Sequence, residues 1–186
     1  MERQRLLLVL LAGLVLLTSW WSYELDEGEV RPRTPGAVDY RIESFERLSL
    51  DAQGQPSERL RAPLLVHYGD GGGAELLQPE ITLYSTDGFP WELQSERAWV
   101  DDQQDVILMY GAVLGWRLDA TGARRVELTT RDLRILRSAQ YAESAEPTWL
   151  RDGLTESEGI GMRADLARDR VELLAKVRTR HQTQAP

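Results

Sequence analysis

From Tyr40 onward, apolar and polar residues alternate in short runs, and each run stops at turn-forming residues. A period of two suits a strand with one face buried and the other in water, and it cannot keep an apolar stripe on a helix. Tyr40, Ile42, Leu48 and Leu50 share one parity before the turn Asp51-Ala52-Gln53-Gly54. Arg59 to Tyr68 is a second run, closed by Gly69-Asp70-Gly71-Gly72-Gly73, a cluster read as a hairpin. Ile81 and Leu83 make a third, with Thr82 and Tyr84 on the other face, closed by Thr86-Asp87-Gly88-Phe89-Pro90. Trp91, Leu93 and Ser95 form a fourth, and residues 101–104 turn the chain into Val106, Leu108 and Tyr110. Trp116 and Leu118 lead to Ala120-Thr121-Gly122, with Val126 and Leu128 beyond it. Strands at this spacing, with no helical segments between them, predict an all-β sandwich, jelly roll or barrel-like fold.

The N-terminus obeys a different rule. Leu6 to Leu17 read LLLVLLAGLVLL, and the stretch continues through Trp20, Trp21 and Tyr23. As a helix, residues 6–23 are about 27 Å long, close to the roughly 30 Å of a bilayer's hydrocarbon core. Arg3 and Arg5 precede the stretch, whereas Glu24, Asp26, Glu27 and Glu29 follow it. The positive-inside bias therefore predicts residues 1–5 as a cytoplasmic tip, residues 6–23 as a transmembrane helix and an exported remainder. No A-x-A site follows, and bulky Trp20 and Trp21 stand where a signal peptidase needs small residues, so an uncleaved anchor is expected. Residues 24–38, acidic with two prolines and two glycines, read as a linker, residues 39–180 as the domain and 181–186 as a flexible tail.

Composition removes several chemistries. A net charge of −8 argues against nucleic-acid binding, which needs a positive surface to displace counterions. No cysteine is present, and the two histidines, His67 and His181, lie far apart, so neither a thiolate nor a multi-histidine metal site is expected. The glycine cluster lacks the Lys and Ser/Thr of a phosphate loop, and Gly159-Ile160-Gly161 is a fragment of a dinucleotide fingerprint outside any βαβ unit. There is no G-x-S-x-G elbow, and Asp101 with Asp102 fall in a solvated turn. No catalytic residues, metal or cofactor are assigned.

Residues 163–178 resist the strand reading, because Leu166, Leu173, Leu174 and Val177 are spaced as on a helix. Against that stands an internal echo. Ala98-Trp99-Val100, a turn, then Val106, Leu108, Gly111 and Val113 match Ala164-Asp165-Leu166, a turn, then Val171, Leu173 and Val177, if a β-bulge supplies a one-residue slip.

Taken in order, several segments resemble the lipopolysaccharide export system protein LptC family. They are the apolar N-terminus, Tyr40 to Leu50, LLQPEITLY (76–84), WELQSERAWV (91–100), VILMYGAV (106–113), LTTRDLRI (128–135) and GIGMRAD (159–165) before Val171 to Val177. The chain departs from the family pattern at residues 176–179, KVRT, where a glycine is usual. The resemblance implies an open twisted β-jelly roll in the periplasm, anchored in the inner membrane by one N-terminal helix, and makes residues 159–180 strand, turn and strand. It implies a non-enzymatic carrier of lipopolysaccharide between the inner-membrane ABC transporter (LptB, LptF and LptG) and the periplasmic bridge protein LptA. By the same resemblance Tyr40, Ile42, Leu48 and Leu50 form the edge facing the transporter, and Val171, Leu173 and Val177 the edge facing the bridge protein.

Inward alternation nominates Ile42, Ile81, Leu83, Leu93, Val106, Leu108, Tyr110, Val126, Leu128, Ile135, Met162 and Leu173 as a lipid-binding groove. The same alternation also describes a closed core. Arg124, Arg125, Arg131, Arg134 and Arg137 are read as a solvated strand face that could reach phosphates at the rim. Two other readings remain: an envelope scaffold acting only by edge-strand pairing, and an anchored glycan hydrolase with a polar cleft of paired carboxylates.

Overall fold

A computed structural model describes residues 37–69, 71–84, 88–166, 168 and 170–181. The anticipated cytoplasmic tip, transmembrane helix, most of the linker and most of the tail lie outside the described residues. Among the described residues no helix is long and apolar enough to cross a membrane. The fold is all-β and antiparallel, as the alternation required.

Ten strands form the sheet: β1 (Val38–Leu50), β2 (Pro56–Tyr68), β3 (Gly73–Leu77), β4 (Glu80–Leu83), β5 (Trp91–Val100), β6 (Val106–Leu118), β7 (Arg124–Leu136), β8 (Tyr141–Asp152), β9 (Thr155–Asp165) and β10 (Arg170–His181). The path runs β1-β2-β3-β5-β6-β7-β8-β9-β10, and β4 continues the line of β3 by pairing with β2 and β5. β9 and β10 are strand, turn and strand despite the helical spacing of their leucines. Pairing to a neighbour overrides a local propensity worth only tenths of a kcal/mol per residue.

The hairpin turns repeat one device. Asp51, Asp101 and Asp119 each open a turn and accept backbone N–H groups from further along it: Gln53 and Gln55 at 2.9 and 2.8 Å, Asp105 and Val106 at 2.7 and 2.9 Å, and Thr121 and Ala123 at 2.8 and 3.1 Å. The fourth residue of each turn, Gly54, Gln104 or Gly122, takes the left-handed conformation that a tight reversal needs. The glycine cluster joins β2 to β3, where the Trp99 indole donates to the Gly72 carbonyl at 2.9 Å. A Cβ on Gly73 would stand 2.4 Å from the Val100 carbonyl oxygen, so only glycine fits there.

A transverse line of irregularities crosses the sheet at mid-strand. On it lie Ser44 opposite Pro63, Gln78 beside Pro79, and register shifts near Gly111 in β6, Asp132 in β7, residues 145–146 in β8 and Lys176 in β10. Ser44, Gln78, Gly111, Asp132, Gly161 and Lys176 all have positive φ. Bulges bend a strand and raise its twist, so this seam lets one sheet turn back on its own apolar face. Backbone groups loosened by the slips find side chains: Asp132 accepts the Gly111 N–H at 2.8 Å, and Ser144 donates to the Arg131 carbonyl at 2.6 Å. Thr130 and Thr148, both buried, bond to each other at 3.0 Å.

Two strands escaped the sequence reading. β3 is too short to show a period. β8 places Ala142, Ser144 and Thr148 at its buried positions, so its inner face is not apolar enough to register. The parity expected along β1 is also corrected. At Ser44 the inward register changes, so Phe45 and Arg47 turn toward the interior while Leu48 and Leu50 are exposed.

The bent sheet is closed by charge. Glu58, only 4% exposed, holds Arg47 from β1 at 2.8 Å and Arg137 from the β7–β8 turn at 2.8 Å. Arg137 also donates to Ser49 Oγ at 2.9 Å, and Arg47 to Gln104 Oε1 at 2.7 Å. Arg137, anticipated on a solvated strand face, is instead committed to this cluster. Glu58→Gln is expected to lower unfolding stability by about 2 to 3 kcal/mol, since it leaves two partly buried guanidiniums without their charge partner; urea denaturation measures it. Lys176 stands where the echo of β6 puts Gly111, and both have positive φ, 51° and 75°. Lys176→Gly is expected to raise stability by about 1 kcal/mol by relieving that strain, read as a shift in the urea midpoint at unchanged slope.

Candidate functional site

Three rows of inward side chains cross the sheet. Leu65, Leu76, Ala98, Met109 and Leu133 are neighbours in register, as are Ala74, Val100, Ile107, Ile135, Ala142, Ala164 and Val171. The third row is Leu60, Ile81, Leu93, Gly115, Leu128 and Leu150. A Cβ on Gly115 would fall 2.8 Å from Leu93 Cδ2, so the glycine makes room for the leucines on either side. These rows close into one apolar cluster that joins β2 to β9 across the interior.

The interior is mostly filled by its own side chains, which differs from sheets splayed too far apart to be packed. An apolar cavity of about 30 Å³ lies between Leu83, Trp91 and Leu93 on one side and Leu128, Met162 and Val171 on the other. Leu166 and Arg170 flank it. Trp91 and Val171 also line a second cavity, of about 500 Å³, together with Phe89, Arg117, Leu118, Asp119, Arg125 and Val126. With Trp91 and Val171 common to both linings, the wider cavity forms a mouth on this side of the sheet. Its apolar threshold is Trp91, held by Arg117, whose guanidinium carbon lies 5.7 Å from the ring centroid and whose Nε donates to the Phe89 carbonyl at 2.9 Å. The Thr121 hydroxyl holds the Asp119 carboxyl below the usual carboxylate range, and the same lining carries Asp152 with Arg117 and Arg125.

Of the nominated groove residues, Ile81, Leu93, Leu128, Ile135 and Met162 are buried, and Leu83 and Leu173 pack against that cluster half-buried. Val126 lines the mouth. Ile42 stands opposite Leu65 on the first strand and is 38% exposed. The inward parity nominated in β6 is corrected: Ile107 and Met109 are buried, and Val106, Leu108 and Tyr110 lie on the opposite face. VILMY is apolar at every position, so it carries no alternation from which to choose a face. Sequence reasoning also missed Leu60, Leu65, Leu76 and Leu133, and it did not see Trp91 as a threshold. Pro63, Pro79 and Pro147, which interrupt strand-like runs, were the available signal for the seam.

The sheet path ends at β1 and β10, and neither has a strand on its outer edge among the described residues. Tyr40, Ile42, Leu48 and Leu50 are exposed on β1, and Tyr40 stacks on His67 with centroids 4.5 Å apart. On β10, Val177 is exposed while Val171 and Leu173 are half-buried. Among the described residues no group of three or more acidic or histidine side chains is placed to hold a metal ion.

A family model described as LptC, lipopolysaccharide-assembly, LptC-related, matches residues 6–182. The lipopolysaccharide export system protein LptC of Escherichia coli (strain K12) is 27% identical over 147 residues, which cover 78% of this chain and 75% of that protein. The protein of the same name from Shigella flexneri matches with the same figures.

Tyr110 is half-buried although it lies on the face opposite Ile107 and Met109. Its hydroxyl is buried without a hydrogen-bond partner among the described residues, and burial first, then the charge of Glu75, pushes its pKa up. Above about pH 10 the unfolded chain ionises this phenol before the folded chain does, so stability falls as pH rises there. Tyr110→Phe is expected to leave stability at pH 7 unchanged or raised by up to about 1 kcal/mol. In a phenolate absorbance titration it should remove one late-titrating tyrosine and leave Tyr68, whose pKa is also raised by burial, as another.

Proposed function

The chain belongs to the LptC-related lipopolysaccharide-assembly family, and from that membership we propose that it is a non-enzymatic carrier taking lipopolysaccharide acyl chains into the apolar interior behind Trp91 and Val171. A general role in lipopolysaccharide transport comes with the family; the route through this chain is our reading. The observation that carries it is the apolar cavity lined by those two residues, which also line the wider mouth beside it.

The physical need is simple. Each exposed CH₂ costs about 0.8 kcal/mol, so a ten-carbon chain crossing water costs roughly 8 kcal/mol unless it is covered. In this reading the domain works as an open twisted β-jelly roll that covers the chains, with its layers parting along the seam of bulges to admit them. Residues 6–23 anchor it in the inner membrane with the N-terminus in the cytoplasm, residues 24–38 are a linker, and residues 39–180 form the domain in the periplasm. The edge of β1, with Tyr40, Ile42, Leu48 and Leu50, adds to the ABC transporter of LptB, LptF and LptG, and the edge of β10, with Val171, Leu173 and Val177, adds to LptA. Unpaired strand edges with exposed apolar side chains support that assignment. In this reading the energy comes from the transporter.

A second reading, a scaffold that works by edge pairing alone, is favoured by the filled interior. Photo-crosslinking in cells separates the two. A crosslinker at Leu128 or Met162 should trap lipopolysaccharide, and one at Leu108, on the opposite face of the sheet, should not. Equal labelling at all three, or none at Leu128 and Met162, removes the carrier reading.

A further inference from the structure

On the outer face of the same strands that form the mouth, Trp149 sits in a second concavity, of about 350 Å³. Trp99 is buried and Trp91 and Trp116 are half-buried, whereas Trp149 is 53% exposed. Trp116 is covered by the Arg124 guanidinium, 4.3 Å from its centroid, and no guanidinium covers Trp149 among the described residues. Burying a tryptophan ring is worth more than burying almost any other side chain, so leaving this one open forgoes that gain.

The surroundings are polar and planar. In register around the ring run Glu127, Arg151, Glu156 and Arg180 in one row and Thr129, Trp149, Glu158 and Arg178 in the next. Arg151 pairs with Glu127, and Arg178 lies 3.9 Å from Glu158. Three glutamates balance three arginines, so the patch has no net charge to draw in a nucleic acid or an anionic bilayer. What it presents is a flat ring flanked by carboxylates, guanidiniums and a threonine hydroxyl. A sugar has matching chemistry: an apolar C–H face for the ring, and hydroxyls that donate to carboxylates and accept from guanidiniums.

Position adds a second argument. Along β7 and β8 side chains alternate between faces, so Val126, Leu150 and Asp152 line the mouth while Glu127, Trp149 and Arg151 line the outer concavity. Leu150 borders both. The rim between them is the end of the β7–β8 pair, where the Gly153 N–H donates to the Arg125 carbonyl at 3.1 Å. We propose that the Trp149 concavity is a saccharide-binding site that takes the oligosaccharide of the lipid whose acyl chains enter the mouth, the glycan passing over this rim from the inner face to the outer. The inference rests on the carrier reading, and it adds a site for the polar half of the same molecule.

The test uses the full-length chain in detergent and two probes, the deacylated oligosaccharide of lipopolysaccharide and the intact lipid. Binding of the deacylated probe is followed by isothermal titration calorimetry, and capture of the intact lipid by the Leu128 crosslink. The glycan should bind wild-type protein, and Trp149→Ala should weaken it at least tenfold, with Arg178→Ser weakening it less, while the Leu128 crosslink in Trp149→Ala persists. Circular dichroism and the urea midpoint report whether the variant folds, and Trp149→Phe, which keeps a flat ring, should recover most of the binding. Glycan that does not bind wild-type protein, or binds Trp149→Ala as well as wild type, overturns the saccharide site. If the Leu128 crosslink is present in that case, the carrier reading survives alone; if it too is absent from wild type, the carrier reading falls separately.

Discussion

A sheet with one apolar face and, among the described residues, no helix to cover it can bury that face only against itself. All else in this domain follows from that requirement. The path from β1 to β10 is unbroken, so closure has to come from bending strands rather than from joining two separate sheets. The seam of positive-φ residues and register slips is where the bending happens, and the backbone groups it loosens are met by Asp132, Ser144, Thr130 and Thr148. Buried polar side chains inside an otherwise apolar layer are costly unless satisfied, and here they are satisfied by the irregularity that called for them.

The same bend produces the charged closure. Arg47 and Glu58 already face each other across the β1–β2 pair, and Arg137 reaches them from the β7–β8 turn because the sheet has turned back on itself. Taking such groups out of water is expensive, so the cluster is better understood as fixing one arrangement of the layers than as a large source of stability. Beside it in register, by way of Leu83, lies Trp91, which with Val171 lines an apolar cavity of about 30 Å³.

An unclosed sheet also leaves its first and last strands without neighbours, and here those strands carry exposed tyrosine, isoleucine, leucine and valine. Natural proteins usually blunt such edges. On both strands charged residues alternate with these apolar ones. The outer face has a different character, with rows of alternating glutamate and arginine around Trp149. Tails, partners and sugars would then be handled by the inner face, the edges and the outer face of one sheet.

Outside β3 and β8, strand existence and turn position were legible because both are local. Alternation marks a half-buried strand, and an aspartate followed three residues later by a glycine or glutamine marks the reversal, as at Asp51, Asp101 and Asp119. The apolar N-terminal run is equally local, a matter of length and hydropathy. The inward face was legible only where polar residues break the apolar pattern, as at Ile81, Leu93 and Leu128. It was not legible in VILMY, where every residue is apolar and pairing decides that Ile107 and Met109 go in. The seam, the Glu58 cluster, the threshold at Trp91 and the setting of Trp149 depend on which strands become neighbours. That depends on long-range register, and the sequence records register only as scattered prolines, glycines and polar residues whose meaning appears once the sheet has closed.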